Sequence, residues 1–156
     1  MSSVFLWERR VEFHETDAAG IAHFSSLLIF MEQAEHALLR SLGLSVASHA
    51  TSRAKEQRHI APDLRWPRIH VEAQFESPVR FEDVLKIQTQ VAAMGQTSVV
   101  YQHRISVDQK LVATGSMKCV CCLMEDSKLS SHRIPDSVRQ LLSRHIIDPS
   151  IDGSVK

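Results

Sequence analysis

The sequence predicts an α+β fold in which a five-stranded antiparallel sheet curls around one long helix. Three observations carry that expectation. Apolar residues alternate with polar ones near the N-terminus, at Phe5, Trp7, Val11 and Phe13. The spacing then becomes helical, at Leu27, Met31, Ala34, Leu38 and Leu42. Alternation returns in four successive stretches joined by short turns, which is how antiparallel neighbours are connected.

Residues 4–13 read as a half-buried strand, because Glu8, Arg10, Glu12 and His14 take the parity opposite to the apolar set. The helix spans about residues 24–42, with Glu32, Glu35, His36 and Arg40 mostly off its apolar stripe. Leu28, Ile29 and Phe30 widen that stripe, so the first half of the helix must be covered on more than one side. Gly43 is placed to end it. Residues 44–67 lack a period and read as a loop with a short helical piece, either a lid over a ligand or a surface excursion. The next strands carry Ile69, Val71, Ala73 and Phe75, then, beyond a bend at Pro78, Leu85, Ile87, Thr89, Val91 and Ala93. A turn at Gly95, Gln96 and Thr97 leads to Val99, Tyr101, His103, Ile105 and Val107. Asp108 and Gln109 turn the chain again into Leu111, Ala113, Gly115, Met117, Cys119, Cys121 and Leu123. A last amphipathic helix covers about residues 135–145. The expected organisation is one domain, 1–147, and a flexible tail, 148–156.

At 156 residues the chain is long enough for one full core and too short for two ordinary domains. Its 18 Lys and Arg balance its 18 Asp and Glu, so no broad basic field points to nucleic acid. A local cluster of cations would still hold a small ligand with phosphates. The first residues show no signal-peptide pattern, and the uncharged run 18–31 is too short and mixed for a membrane span. A soluble cytoplasmic protein is expected. Cys119, Cys121 and Cys122 form C-x-C-C, neither a disulfide framework nor a paired zinc motif, and read as buried small hydrophobes.

The run 17–35, DAAGIAHFSSLLIFMEQAE, places a carboxylate and a Gly turn just ahead of the helix. Unpaired backbone N–H groups and the positive end of the helix dipole gather there. Acyl transfer needs such donors, because a carbonyl oxygen becomes an oxyanion beside whatever attacks it. Gly20 can adopt the positive φ that turns the chain sharply from Asp17 toward the helix.

These residues also carry a resemblance. RVEFHETDAAGIAHF, followed by an apolar helix with Glu32 and Ala34, resembles the 4-hydroxybenzoyl-CoA thioesterase family of hotdog-fold proteins. VEAQFESPVRFEDVLKIQTQVAAMGQTSVVYQHRI resembles that family's strand, Pro turn, Phe-x-Asp and long hairpin, so the likeness spans residues 9–123. It implies hydrolysis of an aryl- or fatty-acyl-CoA thioester by a homodimer or homotetramer. It implies too that Asp17 is the catalytic carboxylate and that a main-chain N–H near His23 or Phe24 polarises the carbonyl. Asp17 would either attack the carbonyl carbon, forming a mixed anhydride, or activate a water. A thiol with a pKa of about 8.5 leaves with little acid assistance.

The chain departs from the family pattern at Ser26, where Asn is common, and at His23, where an aromatic is usual. Its hairpin 94–98 lacks the Arg or Lys residues with which some relatives hold the nucleotide phosphates. Coenzyme A would then rely on Arg80, Lys86, Arg104, Lys118 or the loop with Arg53, Lys55 and Arg58, unless an acyl carrier protein is the donor. Ser26 and Arg80 are candidate substrate contacts. Glu32 either reaches substrate from an adjacent protomer or makes a polar helix–sheet contact. Phe24, Phe30 and Trp66 either line an acyl pocket or belong to the core. Neither a cofactor nor a metal is expected, since His14, Asp17 and His23 match no ligand spacing. Two other functions compete: a hydroxyacyl dehydratase of the same fold, whose Pro-Gly segment is missing after AHFSS, and a non-catalytic acyl-ligand binding module.

Overall fold

The structure, a computed structural model, describes residues 3–46 and 64–147. Its elements are β1 (Phe5–Arg10), α1 (Phe24–Ser41), β2 (Leu64–Arg65), β3 (Arg68–Phe75), β4 (Val84–Met94), β5 (Ser98–Val107), β6 (Lys110–Val120), β7 (Cys122–Glu125), β8 (Lys128–Ser131) and α2 (Asp136–Ser143). The architecture is α+β. Five strands form an antiparallel sheet in the order β1-β4-β5-β6-β3, and three short ones form a second sheet, β2-β7-β8.

Register decides which side chains meet α1. Phe5, Trp7 and Arg9 of β1 pair with Thr89, Ile87 and Leu85 of β4, and Ile87, Thr89 and Val91 pair with Ile105, His103 and Tyr101 of β5. One parity is therefore continuous across the sheet and faces the helix. Leu27, Phe30, Met31 and Ala34 of α1 pack with Leu85, Ile87, Ile105, Ala113 and Met117. Further along, Leu38 and Leu39 pack with Val91, Val99, Tyr101 and Cys119, and with Val138 and Leu142 of α2. Gly115 of β6 lies against Met31 of α1. A Cβ there would collide with Met31 Sδ and sit 3.2 Å from the Glu72 carbonyl oxygen.

Several expectations are met closely. α1 ends at Ser41 with Gly43 at φ +74, and Asp108 and Gln109 take φ of 47 and 67, the left-handed pair of a two-residue hairpin. All three cysteines are buried and free. Other expectations need correction. β1 stops at Arg10: Val11 N–H still donates to the Asp83 carbonyl in register with β4, but the Val11 carbonyl accepts from Glu82 N–H, one residue off that ladder, both at 2.9 Å. Phe13 therefore lies in a 3-10 turn, Phe13–Glu15, and is exposed. β6 ends at Val120 rather than running to residue 123: the Cys121 carbonyl accepts from His132 N–H at 2.8 Å, and Cys122 pairs with Arg65 and Ser131 in the second sheet. Asp126 and Ser127, at φ 47 and 62, then fold β7 back onto β8.

β3 is an edge strand, and its apolar residues stay largely uncovered: Ile69 is 58% exposed, Val71 44% and Phe75 49%. Of the expected loop 44–67, residues 47–63, which carry Arg53, Lys55 and Arg58, fall outside the described residues, as does the expected tail 148–156, while Leu64–Arg65 form β2 rather than loop. Among the described residues no helix is long and apolar enough to cross a membrane.

Candidate active site

Local hydrogen bonding shapes the segment between β1 and α1. Glu12 and Glu15 close a reciprocal box around the 3-10 turn, with Glu12 N–H donating to the Glu15 carboxylate at 2.8 Å. Thr16 pairs with Ala22 as an antiparallel bridge, enclosing a tight turn in which Asp17 N–H donates to the Ile21 carbonyl and Gly20 N–H to the Asp17 carbonyl. Gly20 takes φ +74, as its place in that turn requires. Asp17 Oδ1 accepts from Ala19 N–H at 2.8 Å. This Asx turn fixes the half-buried carboxylate with one oxygen engaged.

The same segment is fastened to the head of α1. The Glu15 carbonyl accepts from His23 N–H and from Ser26 Oγ, each at 2.9 Å. Ala22 N–H donates to the Val79 carbonyl at 2.7 Å, tying the helix entry to the β3–β4 link beside Arg80. His23 is the N-cap residue, its Nδ1 accepting from Ser25 N–H. The first-turn donors are thereby mostly consumed: His23 N–H by Glu15, Ser25 N–H by the His23 ring, and Ser26 N–H by the His23 carbonyl at 2.9 Å. Phe24 N–H has no acceptor among the described residues.

The sequence-derived candidates separate into three groups. Asp17, Gly20, His23, Phe24 and Ser26 come together in this turn and cap, and Arg80 is exposed next to Val79. Phe30 is fully buried, with the Arg9 guanidinium 3.9 Å above its ring. Trp66 packs with the far core cluster, near Leu38 and Leu39. Lys86 lies on the outward parity of the sheet, 3.8 Å from Glu8.

Glu32 belongs to a polar cluster at the β3 edge. Arg68 reaches it at 3.6 Å and bonds Glu35 at 2.7 Å, while Glu35 is 1% exposed. Burial pushes the Glu35 carboxyl above its ordinary range, although Arg68 pulls it the other way. Burial also drives the Cys119 thiol beside it up to about 12, which favours the neutral thiol. A second buried group, His103, is hydrogen-bonded to Thr89 through Nδ1 at 3.0 Å, and its Nε2 has no partner among the described residues.

Three residues that sequence did not single out stand out in the structure. Arg9 shares the inward parity of Phe5 and Trp7, donates to Glu15 and Gln33 at 2.6 Å, and so braces the 3-10 turn from the core side. Alternation contained that signal. Arg133 and Arg139 flank the cation-free hairpin, lining with Met94, Gly95 and Gln96 a cleft of about 580 Å³. Arg139 donates to the Gly95 carbonyl at 2.7 Å. Only the packing of α2 against the hairpin reveals them. Among the described residues no His, Cys, Asp and Glu cluster could hold a metal.

Residues 11–142 match the model of the thioesterase-like superfamily, a range that includes the whole turn and cap and every strand of the sheet but β1. The chain belongs to that superfamily. It is 30% identical over 134 residues to a 1,4-dihydroxy-2-naphthoyl-CoA hydrolase of Synechococcus sp. (strain CC9605), covering 86% of each chain. It is 27% identical over 138 residues to the acyl-CoA thioester hydrolase YbgC of Escherichia coli O157:H7, covering 88% of this chain and 94% of the relative. Among solved structures, a gentisyl-coenzyme A thioesterase superposes with a TM-score of 0.71 at 26% identity, covering 88% of this chain and 98% of the other. The expected enzyme class, thioester hydrolase, is the one these superfamily relatives carry.

Proposed function

We propose that this thioester hydrolase cleaves aryl- or fatty-acyl-CoA, as in the 4-hydroxybenzoyl-CoA thioesterase family, with Asp17 as nucleophile or general base. The observation that carries this reading is the clamp between the Asp17 turn and the head of α1, in which one carbonyl, Glu15, holds both His23 and Ser26. Phe24 N–H, without an acceptor among the described residues and at the positive end of an 18-residue helix, is the donor suited to the developing oxyanion. Attack by Asp17 forms a C–O bond and expels the thiolate, and water then opens the anhydride. In the general-base alternative, Asp17 takes a proton from the attacking water. Gly20 supplies the turn, and His23, Ser26 and Arg80 border the acyl entrance.

The protein acts as a homodimer or homotetramer in this reading, because β3 leaves an unpaired edge flanked by Ile69, Val71 and Phe75. The Arg133 and Arg139 cleft lies at the hairpin by the C-terminal half of α1, roughly 27 Å of helix from the Asp17 end at 1.5 Å per residue. Two-fold pairing through β3 edges runs the two helices antiparallel. It brings one protomer's Asp17 end toward its partner's cleft, where two guanidiniums could take the phosphates of coenzyme A. Glu32 at the same edge would face the shared site.

Thiol release from a panel of aryl, short, medium and long acyl-CoA substrates tests the assignment. Asp17→Asn keeps the Asx turn and removes the base, and kcat should fall about 10²-fold to 10⁴-fold. A folded Asp17→Asn protein that hydrolyses the best substrate at the wild-type rate refutes it.

A further inference from the structure

We propose that Ser25 is a positioning residue that fixes the His23 imidazole with its hydrogen on Nε2, and that this N–H is a second donor to the acyl carbonyl oxygen beside Phe24 N–H. The proposal rests on the catalytic reading above and adds a side-chain donor to it. Two groups of one residue converge on His23 Nδ1: Ser25 N–H at 3.3 Å and Ser25 Oγ at 2.7 Å. A backbone N–H can only donate, so Nδ1 must accept, and the single hydrogen of the neutral ring is on Nε2. The Ser25 hydroxyl, free to rotate, donates to the same nitrogen.

The ring is also held from the side. Its centroid lies 4.5 Å from that of Phe24, tilted by 36°. His23 is exposed, so its Nε2 side is open to a ligand arriving at the helix head. Backbone N–H groups and a side-chain donor together make a known form of oxyanion hole. Here the cap and the donor are one residue. The bond that caps the helix is the bond that sets the tautomer.

The test combines a spectrum with kinetics on the full chain. Long-range ¹H–¹⁵N spectra of ¹⁵N-histidine-labelled wild type should show His23 with bare Nδ1 and protonated Nε2 near neutral pH, and Ser25→Ala, which loses the 2.7 Å hydroxyl bond but keeps the longer backbone donor, should raise the share of the Nδ1-protonated form. With the panel's fastest acyl-CoA as probe, His23→Ser keeps a capping oxygen but loses the ring N–H. Its kcat should fall about 10²-fold with KM within about twofold. Ser25→Ala should lose roughly 5-fold to 10-fold in kcat, the scale of one neutral hydrogen bond, and Ser25→Thr should recover most of that loss. A wild-type ring protonated on Nδ1 overturns the proposal. So does a His23→Ser protein of unchanged kcat whose Asp17→Asn counterpart is inactive, a result that leaves the Asp17 assignment standing. A wild type that releases no thiol from any panel member removes both.

Discussion

Acid should unfold this protein through His103. The side chain is 1% exposed on β5, under α1, with Nδ1 on Thr89 and Nε2 without a partner among the described residues. Burial, reinforced by the Arg68 charge, lowers its pKa from 6.5 to about 3. The unfolded chain therefore binds one more proton than the folded chain across that window. The stability His103 permits is fully present above pH 6.5, and it is lost as pH falls toward 3. Each pH unit inside the window costs about 1.4 kcal/mol, so the loss between pH 7 and pH 5 is about 2 kcal/mol.

Urea unfolding of wild type and His103→Leu at pH 7, 6 and 5 reads this directly. The substitution strands the Thr89 hydroxyl, a cost of about 1 kcal/mol that does not vary with pH. Adding Thr89→Val replaces both partners by apolar groups and should return most of that cost. The decisive quantity is the difference in slope: wild type should lose about 2 kcal/mol more than His103→Leu between pH 7 and pH 5. Parallel curves for the two proteins would refute the assignment of the acid transition to this buried ring.

Arg68→Met should destabilise by about 3–5 kcal/mol in urea unfolding, because Glu35 is left as a buried carboxylate without its partner. Adding Glu35→Leu should recover most of that loss. Gly115→Ala should cost about 1–3 kcal/mol, since the new methyl meets Met31 Sδ on one side and the Glu72 carbonyl on the other. Val71→Lys places a charge on the exposed β3 edge and should yield folded monomer in sedimentation velocity, whereas an unchanged oligomer would move the pairing surface elsewhere.

How much of the fold was legible depended on how local its causes are. α1 was readable because its apolar spacing and its Gly43 stop lie within the helix's own sequence. β4 and β5 were readable because every second residue from Leu85 to Val91 and from Val99 to Ile105 is buried. The end of β6 was not. Alternation continues through Cys121 and Leu123, and the strand is ended by partners distant in sequence, His132 N–H on the Cys121 carbonyl and Arg65 and Ser131 beside Cys122. Arg9 shows the opposite failure. Its parity placed it inward with Phe5 and Trp7, but its charge suggests solvent, and the partners that make burial tolerable are Glu15, Gln33 and the Phe30 ring.

The candidate site divides along the same line. Asp17 and Gly20 were legible because the turn from Asp17 to Ile21 closes within five residues, through bonds that an Asp and a Gly at these positions favour. The coupling of that turn to α1 was hidden, because it runs through a main-chain atom, the Glu15 carbonyl, which carries no sequence signature. Glu15 serves twice: its carbonyl holds His23 and Ser26, and its carboxylate takes Arg9 at 2.6 Å. Arg9 in turn lies against Phe30, which is fully buried. A continuous path therefore leads from the core, through one guanidinium and one glutamate, to the helix head where Phe24 N–H waits. Displacing any link would move the donor relative to Asp17 without touching either. The core thus fixes the geometry that the proposed chemistry depends on.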